Sequence, residues 1–225
     1  MGRSNRIGSR APTPGAWAAR GCAGLAFAGC LLGCGSSSPG SAPGTTAAPL
    51  VFVGDVEGTD VRVGIVATRH HARVFFCGGD TSYATLTHWI PSASLDPGDG
   101  ALTQASDTAG WSVNGTLDEG GATGTVVAGA TGSFSFHAAP VAAGTIAGLY
   151  ESTLPCGEVG LIVAQDSSGD APTGQGACVP SAPGGTASTE QVNPIRPITR
   201  AADGTIAVSV GTTTTVVHAA APPAE

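Results

Sequence analysis

The 225-residue chain contains no lysine and a single methionine, and aromatic residues make up only 5% of it. Its basic charge comes from nine arginines, of which five follow residue 33, whereas all sixteen acidic residues lie beyond that point. The formal net charge after residue 33 is therefore −11. Because nucleic-acid binding depends on neutralising phosphates, this balance argues against a nucleic-acid partner. It also argues against a polybasic membrane-binding surface on the domain.

The sequence also lacks the motifs that identify common enzyme classes. It has no Gly-x-Ser-x-Gly elbow, no phosphate-binding loop and no dinucleotide fingerprint. Aspartates and glutamates are scattered singly, so no spacing predicts the paired carboxylates of glycoside hydrolysis. A non-enzymatic protein is therefore favoured, and no cofactor is predicted.

A short motif near the start of the chain organises the rest. Leu31-Leu32-Gly33-Cys34 resembles the lipobox of bacterial lipoproteins: an aliphatic residue, a tolerant position, a small residue and a cysteine. The resemblance implies cleavage before Cys34, diacylglycerol on its sulfur and an acyl chain such as palmitate on its amino group. Two or more acyl chains would anchor the protein stably to a membrane.

The residues before the motif support this interpretation. Residues 22–32 form an apolar stretch that is shorter than the roughly 20 residues needed to span a bilayer. Four arginines supply the positive region that precedes it: Arg3, Arg6, Arg10 and Arg20. Phe27-Ala28-Gly29-Cys30 is a second possible lipobox, but Phe27 matches the aliphatic first position less well. The alternative interpretation of the whole leader is an ordinary secretory signal peptide.

Composition divides the chain into four parts. Residues 1–33 are predicted to be a lipoprotein signal peptide. Residues 34–49 are rich in Gly, Ser, Pro and Ala and predict a flexible tether. Residues 50–218 are predicted to form one all-β domain, and residues 219–225 a disordered tail.

The pattern of side chains beyond Leu50 is typical of β-strands. Apolar residues alternate with small or polar ones in five runs of strand length: 61–66, 72–77, 111–117, 133–137 and 205–210. Clusters of Asp, Gly, Ser and Pro separate the runs, and no sustained 3.6-residue stripe predicts a helix. The sequence predicts an antiparallel meander of about eight to ten short strands, closed as a barrel or folded as a sandwich.

A second resemblance covers more of the chain. Its marks are Cys77-Gly78-Gly79, a Trp at position 89, glycine-marked strands at 115–126, Phe134–Ala138 and Ala147-Gly148-Leu149-Tyr150. This order is similar to that of an uncharacterised group of secreted or lipid-anchored bacterial β-domains. The resemblance implies the fold and no particular activity. The chain departs from the group at Gly78, where an acidic residue is frequent.

Three cysteines remain beyond the lipobox. Cys156 and Cys178 flank a predicted turn at 167–170, so a hairpin about that turn would place them on neighbouring strands within bridging reach. This pairing is favoured, with Cys77 bonded to either partner, or no bridge, as the alternatives. A disulfide is permitted in an extracytoplasmic compartment.

Few polar or aromatic residues are candidates for a site. Trp89 and Trp111 could lie at the pocket of a ligand-binding barrel, although aromatic residues in a sheet more often fill the core. Cys77 could act as a nucleophile assisted by His70, His71 or His88. A Zn²⁺ or Cu²⁺ site could combine His70 or His71 with His88, Asp80 or His137. Free cysteine is more often a small buried apolar residue, and His70 and His71 should point to opposite faces of a strand.

Three hypotheses follow. The first is a non-enzymatic, lipid-anchored domain of the cell envelope that binds an envelope protein or supports the envelope. The second is a small-ligand-binding β-barrel with Trp89 or Trp111 at its pocket. The third is a secreted enzyme or metalloprotein that uses Cys77 and the histidines. Gly35 stands where some inner-membrane lipoproteins carry Asp, which favours the outer membrane.

Overall fold

The computed structural model describes residues 48–165, 170–180 and 188–224. The described residues all belong to one compact unit. Its regular structure consists of fourteen antiparallel strands: β1 (Leu50–Val56), β2 (Arg62–Ala67), β3 (His71–Cys77), β4 (His88–Leu95), β5 (Ala101–Gln104), β6 (Trp111–Asp118), β7 (Gly121–Ala128), β8 (Gly132–Pro140), β9 (Gly148–Leu154), β10 (Gly157–Ala164), β11 (Thr173–Val179), β12 (Glu190–Pro194), β13 (Ile206–Val210) and β14 (Thr213–Ala219).

The strands form two closed barrels in succession. Strands β1 to β8 pair in sequence order, and β1 closes the first barrel against β8. Strands β9 to β14 form a second, smaller barrel, which β9 closes by pairing with both β10 and β14. The predicted all-β antiparallel class is confirmed, and the barrel is the form adopted. The described strands number fourteen rather than eight to ten, and they close two barrels instead of one.

Burial differs between strands at the junction of the two barrels and strands away from it. In β6, β7 and β8, buried residues alternate with exposed ones, because one face points into the barrel and the other into solvent. In β2, β3 and β10, nearly every residue is buried or half-buried. These three strands have no wetted face because the outer surfaces of the two barrels pack against each other there.

The junction between the barrels depends on two glycines. Gly64 on β2 leaves room for Leu149 and Ile162 of the second barrel, whose side-chain atoms lie 3.1 Å from where a Cβ would stand. Gly160 on β10 faces Phe75 of the first barrel, whose ring lies 2.3 Å from the corresponding position. The missing side chains therefore allow the two sheets to approach closely. The apolar cluster at the junction comprises Val66, Phe75, Cys77, Trp89, Leu149, Ile162, Ala177 and Ala220.

Each barrel also has a filled interior. In the first, Phe76 packs against Trp111 and against Phe136 at the centre of a large apolar cluster. The free space beside Trp111 is about 10 Å³, which is room for about one water molecule. The second interior is built around Tyr150, Leu161 and Val208.

The chain beyond β14 is held against the junction. Ala219 is the last residue of β14, and the N–H of Ala220 donates to the carbonyl of Leu149. The N–H of Ala221 donates to a carboxylate oxygen of Glu151 at 2.8 Å. Ala219, the first residue of the predicted disordered tail, is therefore part of β14, and Ala220 is buried in the junction cluster. Because β14 pairs with β9, the backbone here has hydrogen-bond partners that its composition did not predict.

Replacing Gly160 by alanine should destabilise the protein. The added methyl group would overlap the buried Phe75 ring, so we expect the free energy of unfolding to fall by about 1–3 kcal/mol. Denaturant unfolding followed by tryptophan fluorescence measures this. Gly98→Ala in an exposed turn is the control, because a Cβ there meets only a side-chain oxygen of Asp96 at 3.1 Å. Equal stability of the two variants would contradict the proposed packing.

Candidate functional site

The structure pairs two of the three cysteines beyond the lipobox. The sulfurs of Cys156 and Cys178 are joined 2.08 Å apart, and Cys178 lies on β11, opposite Val159 of β10. This is the pairing that the sequence favoured, and the β10–β11 hairpin brings it about. The turn predicted at 167–170 lies largely outside the described residues. The lipobox and Cys34 lie wholly outside them.

Trp89 and Trp111 do not share a pocket. Trp89 is on the outer face of β4, where it stacks on Phe75 within the junction at a centroid distance of 4.4 Å. Trp111 points into the first barrel and belongs to its core. The two indoles therefore lie on opposite faces of the sheet, and both contribute mainly to packing.

Cys77 is unpaired and fully buried in the junction. Burial raises the pKa of its thiol to about 12, although a hydrogen bond with Thr87 and the charge of Arg62 act in the opposite direction. A thiol with this pKa is protonated near neutral pH and is a poor nucleophile. Its residue lies on the face of the sheet opposite to that of His88, because β3 and β4 pair Phe76 with His88.

The histidines do not converge on a metal site. His70 is exposed in the turn before β3, and His71 is the first residue of that strand. His88 begins β4 and lies near the rim of the first barrel. Within residues 48–165, 170–180 and 188–224, no group of three or more His, Cys, Asp or Glu side chains is placed to hold a metal ion.

His88 has a different partner, which no sequence pattern predicted. Its Nε2 atom lies 2.6 Å from Oδ2 of Asp107, and its ring stacks on Trp111 at 4.7 Å. The other carboxylate oxygen of Asp107 accepts hydrogen bonds from the N–H groups of Ala109 and Trp111. Asp107 lies in the loop between β5 and β6, so the pair joins this loop to the start of β4. The only sequence signal was a lone Asp in a Ser/Thr/Ala/Gly loop, which typically indicates a turn.

Hydrogen bonding also changes the ionisation of Asp107. Partial burial alone would raise its pKa, but the bonds from Trp111 and His88 outweigh that effect and lower the pKa below its usual value. The carboxylate is therefore charged at neutral pH and holds both the loop and the imidazole in place. Through these contacts the pair links the loop before β6 to the first residue of β4.

A charged cluster bridges the two barrels. Arg73 on β3 donates to Glu151 on β9 and, at 2.5 Å, to Glu158 on β10. Its guanidinium also lies 4.8 Å from the ring centre of Trp89. Burial raises the pKa of Glu158, with the charge of Glu151 adding to the effect and that of Arg73 opposing it. This cluster satisfies the charges that the junction buries, and Ala221 completes it by donating to Glu151.

A groove runs along one side of the junction. It has a volume of about 750 Å³ and is lined by residues of β1, β2, β8, β10 and β11, together with the segment 141–147 that joins the barrels. Arg62 on β2 is the one basic residue in its lining. A groove of this size falls in the range of small-molecule sites, which are usually between roughly 300 and 1,000 Å³. No sequence motif marks it, because its walls come from distant parts of the chain.

Comparisons with known proteins do not assign this chain to a family. No protein-family model, no curated protein and no solved structure matches it. Across the described ranges, no helix is long and apolar enough to cross a membrane.

Removing the disulfide should lower the stability of the second barrel. The bridge closes a loop over a sequence separation of 22, so we expect the Cys156→Ser/Cys178→Ser variant to lose about 3 kcal/mol of unfolding free energy. Guanidinium unfolding with and without dithiothreitol measures this. Reductant should destabilise the wild type and leave the double variant unchanged. Peptide mapping without reduction that finds Cys77 in a cross-link would contradict the pairing.

Replacing Asp107 by alanine should destabilise the first barrel in a pH-dependent way. Because folding lowers the pKa of Asp107, its charged form stabilises the fold above the unfolded pKa, and this contribution is lost as pH falls through the folded one. We expect a loss of about 1–3 kcal/mol at pH 7 from the broken hydrogen bonds, and a smaller loss well below pH 3.8. Urea unfolding over this pH range tests it, with the exposed Glu119→Ala as control. A loss that does not change with pH would contradict the role of the charge.

Proposed function

We propose that this protein is a lipid-anchored extracytoplasmic binding domain with no catalytic activity of its own. The observation that carries the proposal is the Cys156–Cys178 disulfide, which fits an oxidising compartment, in a chain that also holds the Leu31-Leu32-Gly33-Cys34 motif. Lipid on Cys34 would tether the two-barrel domain to the envelope through residues 35–47. The acidic charge of the domain supports attachment by lipid rather than by a basic surface.

The surroundings of the candidate catalytic groups support a non-enzymatic role. Cys77 is buried with a raised pKa, and His88 is engaged with Asp107 on the other face of the sheet. A thiol nucleophile needs an adjacent base and an open approach for the substrate. The proposal therefore assigns the protein a role in binding and gives Cys77 a packing role.

The site of binding is proposed to lie outside the barrels. The space beside Trp111 is about 10 Å³, whereas the groove at the junction is about 750 Å³. A small ligand is therefore better accommodated in the groove than in the barrel pocket first suggested for Trp89 and Trp111. This supports small-ligand binding as a second, compatible function of the anchored domain.

Intact-mass measurement of the protein from detergent-solubilised bacterial membranes tests the anchor. We expect a mass that corresponds to residues 34–225 plus diacylglycerol, and a further acyl group where the host adds one. Cys34→Ala should abolish both cleavage at this site and the lipid mass, because the thiol is the group that is modified.

Cys30→Ala is the matched control, since Cys30 lies in the competing frame four residues earlier. It should leave the mass of the mature protein and its membrane fractionation unchanged. A lipid-free mature chain that begins elsewhere, or loss of lipid in Cys30→Ala with retention in Cys34→Ala, would contradict the proposal.

A further inference from the structure

The charged cluster at the junction sets one cation against two carboxylates. Arg73 on β3 of the first barrel donates to Glu151 on β9 and, at 2.5 Å, to Glu158 on β10 of the second. The side chains of Arg73, Glu151 and Glu158 are 16%, 21% and 36% exposed, so solvent screens their charges only in part. With both glutamates ionised, one positive and two negative charges meet, and one negative charge is in excess.

The charges that act on Glu158 are those of Arg73 and Glu151. Other ionisable groups on the neighbouring strands have different surroundings. Asp55 and Arg62 lie beside the opposite end of β10. The remaining groups are Cys77, whose buried thiol is protonated, His71 at the start of β3, His218 of β14, which lies opposite Glu151, and the exposed Glu190 of β12. The balance of charge at Glu158 is therefore determined within the cluster.

Protonation of Glu158 removes the excess charge. Burial raises the pKa of this side chain, and the charge of Glu151 adds to the effect, whereas the charge and hydrogen bond of Arg73 oppose it. Once Glu158 is neutral it no longer repels Glu151, and Arg73 and Glu151 remain as a matched ion pair between β3 and β9. Glu151 also accepts the N–H of Ala221, so the pair holds the chain beyond β14 as well.

We propose that this cluster is a pH-responsive contact between the two barrels, in which Glu158 takes up one proton on mild acidification and the junction becomes stronger. The geometry that carries the inference is the sharing of one guanidinium by two carboxylates across the junction. Because folding raises the pKa of Glu158, its contribution to stability is fully present below the ordinary value of 4.5 and is lost as pH rises through the folded value. The inference depends on neither the lipid anchor nor the binding role.

Thermal unfolding of the full chain and of its Glu158→Gln variant between about pH 4 and 7 tests the inference. The neutral Gln side chain stands for the protonated Glu158. We expect the variant to unfold about 1–3 °C above the wild type at pH 7, and the difference to vanish toward pH 4. Comparison at each pH cancels the titration of the other carboxylates. Glu119→Gln, in an exposed turn, is the matched control and should show no such trend.

The side-chain carboxyl signals of ¹³C-glutamate-labelled protein separate the cluster from burial alone. Glu151→Gln should lower the pH at which Glu158 titrates, because it removes the repelling charge, and Arg73→Gln should raise it. Glu151→Gln keeps this test decisive if Arg73→Gln fails to fold, since Arg73 then still has Glu158 as its partner. His218→Gln should leave the titration unchanged.

Three results would overturn the inference. The first is a difference between wild type and Glu158→Gln that does not change with pH. The second is a titration of Glu158 that Glu151→Gln does not move, which would leave burial as the whole cause. The third is loss of the pH trend in His218→Gln, which would make the imidazole the titrating group.

Discussion

The close packing of two barrels through glycine gaps is the constraint on which the rest of this structure depends. At Gly64 and Gly160 the sheets approach until side chains of one barrel fill space above the backbone of the other. A barrel of six or eight strands normally presents one face to water, but β2, β3 and β10 are covered on both faces here. Their apolar composition follows, since a polar side chain on either face would be buried without water.

Burial at the junction also determines how its charges are arranged. A single cation buried between sheets would cost several kcal/mol in lost hydration, which only close partners can offset. Arg73 has two carboxylates and an indole face, and one of those carboxylates also receives the N–H of Ala221. The cluster therefore joins β3 to β9 and β10 and binds the backbone of Ala221, two residues beyond β14.

The alternation of apolar and polar residues and the positions of turns and cysteines predicted much of the fold. The alternation in 111–117 and 133–137 corresponds to β6 and β8, whose outer faces are wetted. The hairpin about residues 167–170 predicted both β10–β11 and the partner of Cys178. Local patterns could not indicate that the chain closes one barrel at β8 and begins another, because closure depends on pairing between β1 and β8, which are far apart in sequence. The continuous apolar runs at 63–67 and 159–163 indicate strands that are buried on both faces. A search for alternating apolar and polar residues does not detect such strands.

The sites were harder to predict because both arise from tertiary neighbours. Asp107 is a turn residue by its sequence, and only the folding of the first barrel brings it to His88. Arg62 alternates with valines as an outward residue of a wetted strand would, yet the second barrel converts its surroundings into the wall of a groove. The second barrel buries the outer face of β2, and the same packing forms the groove beside this strand.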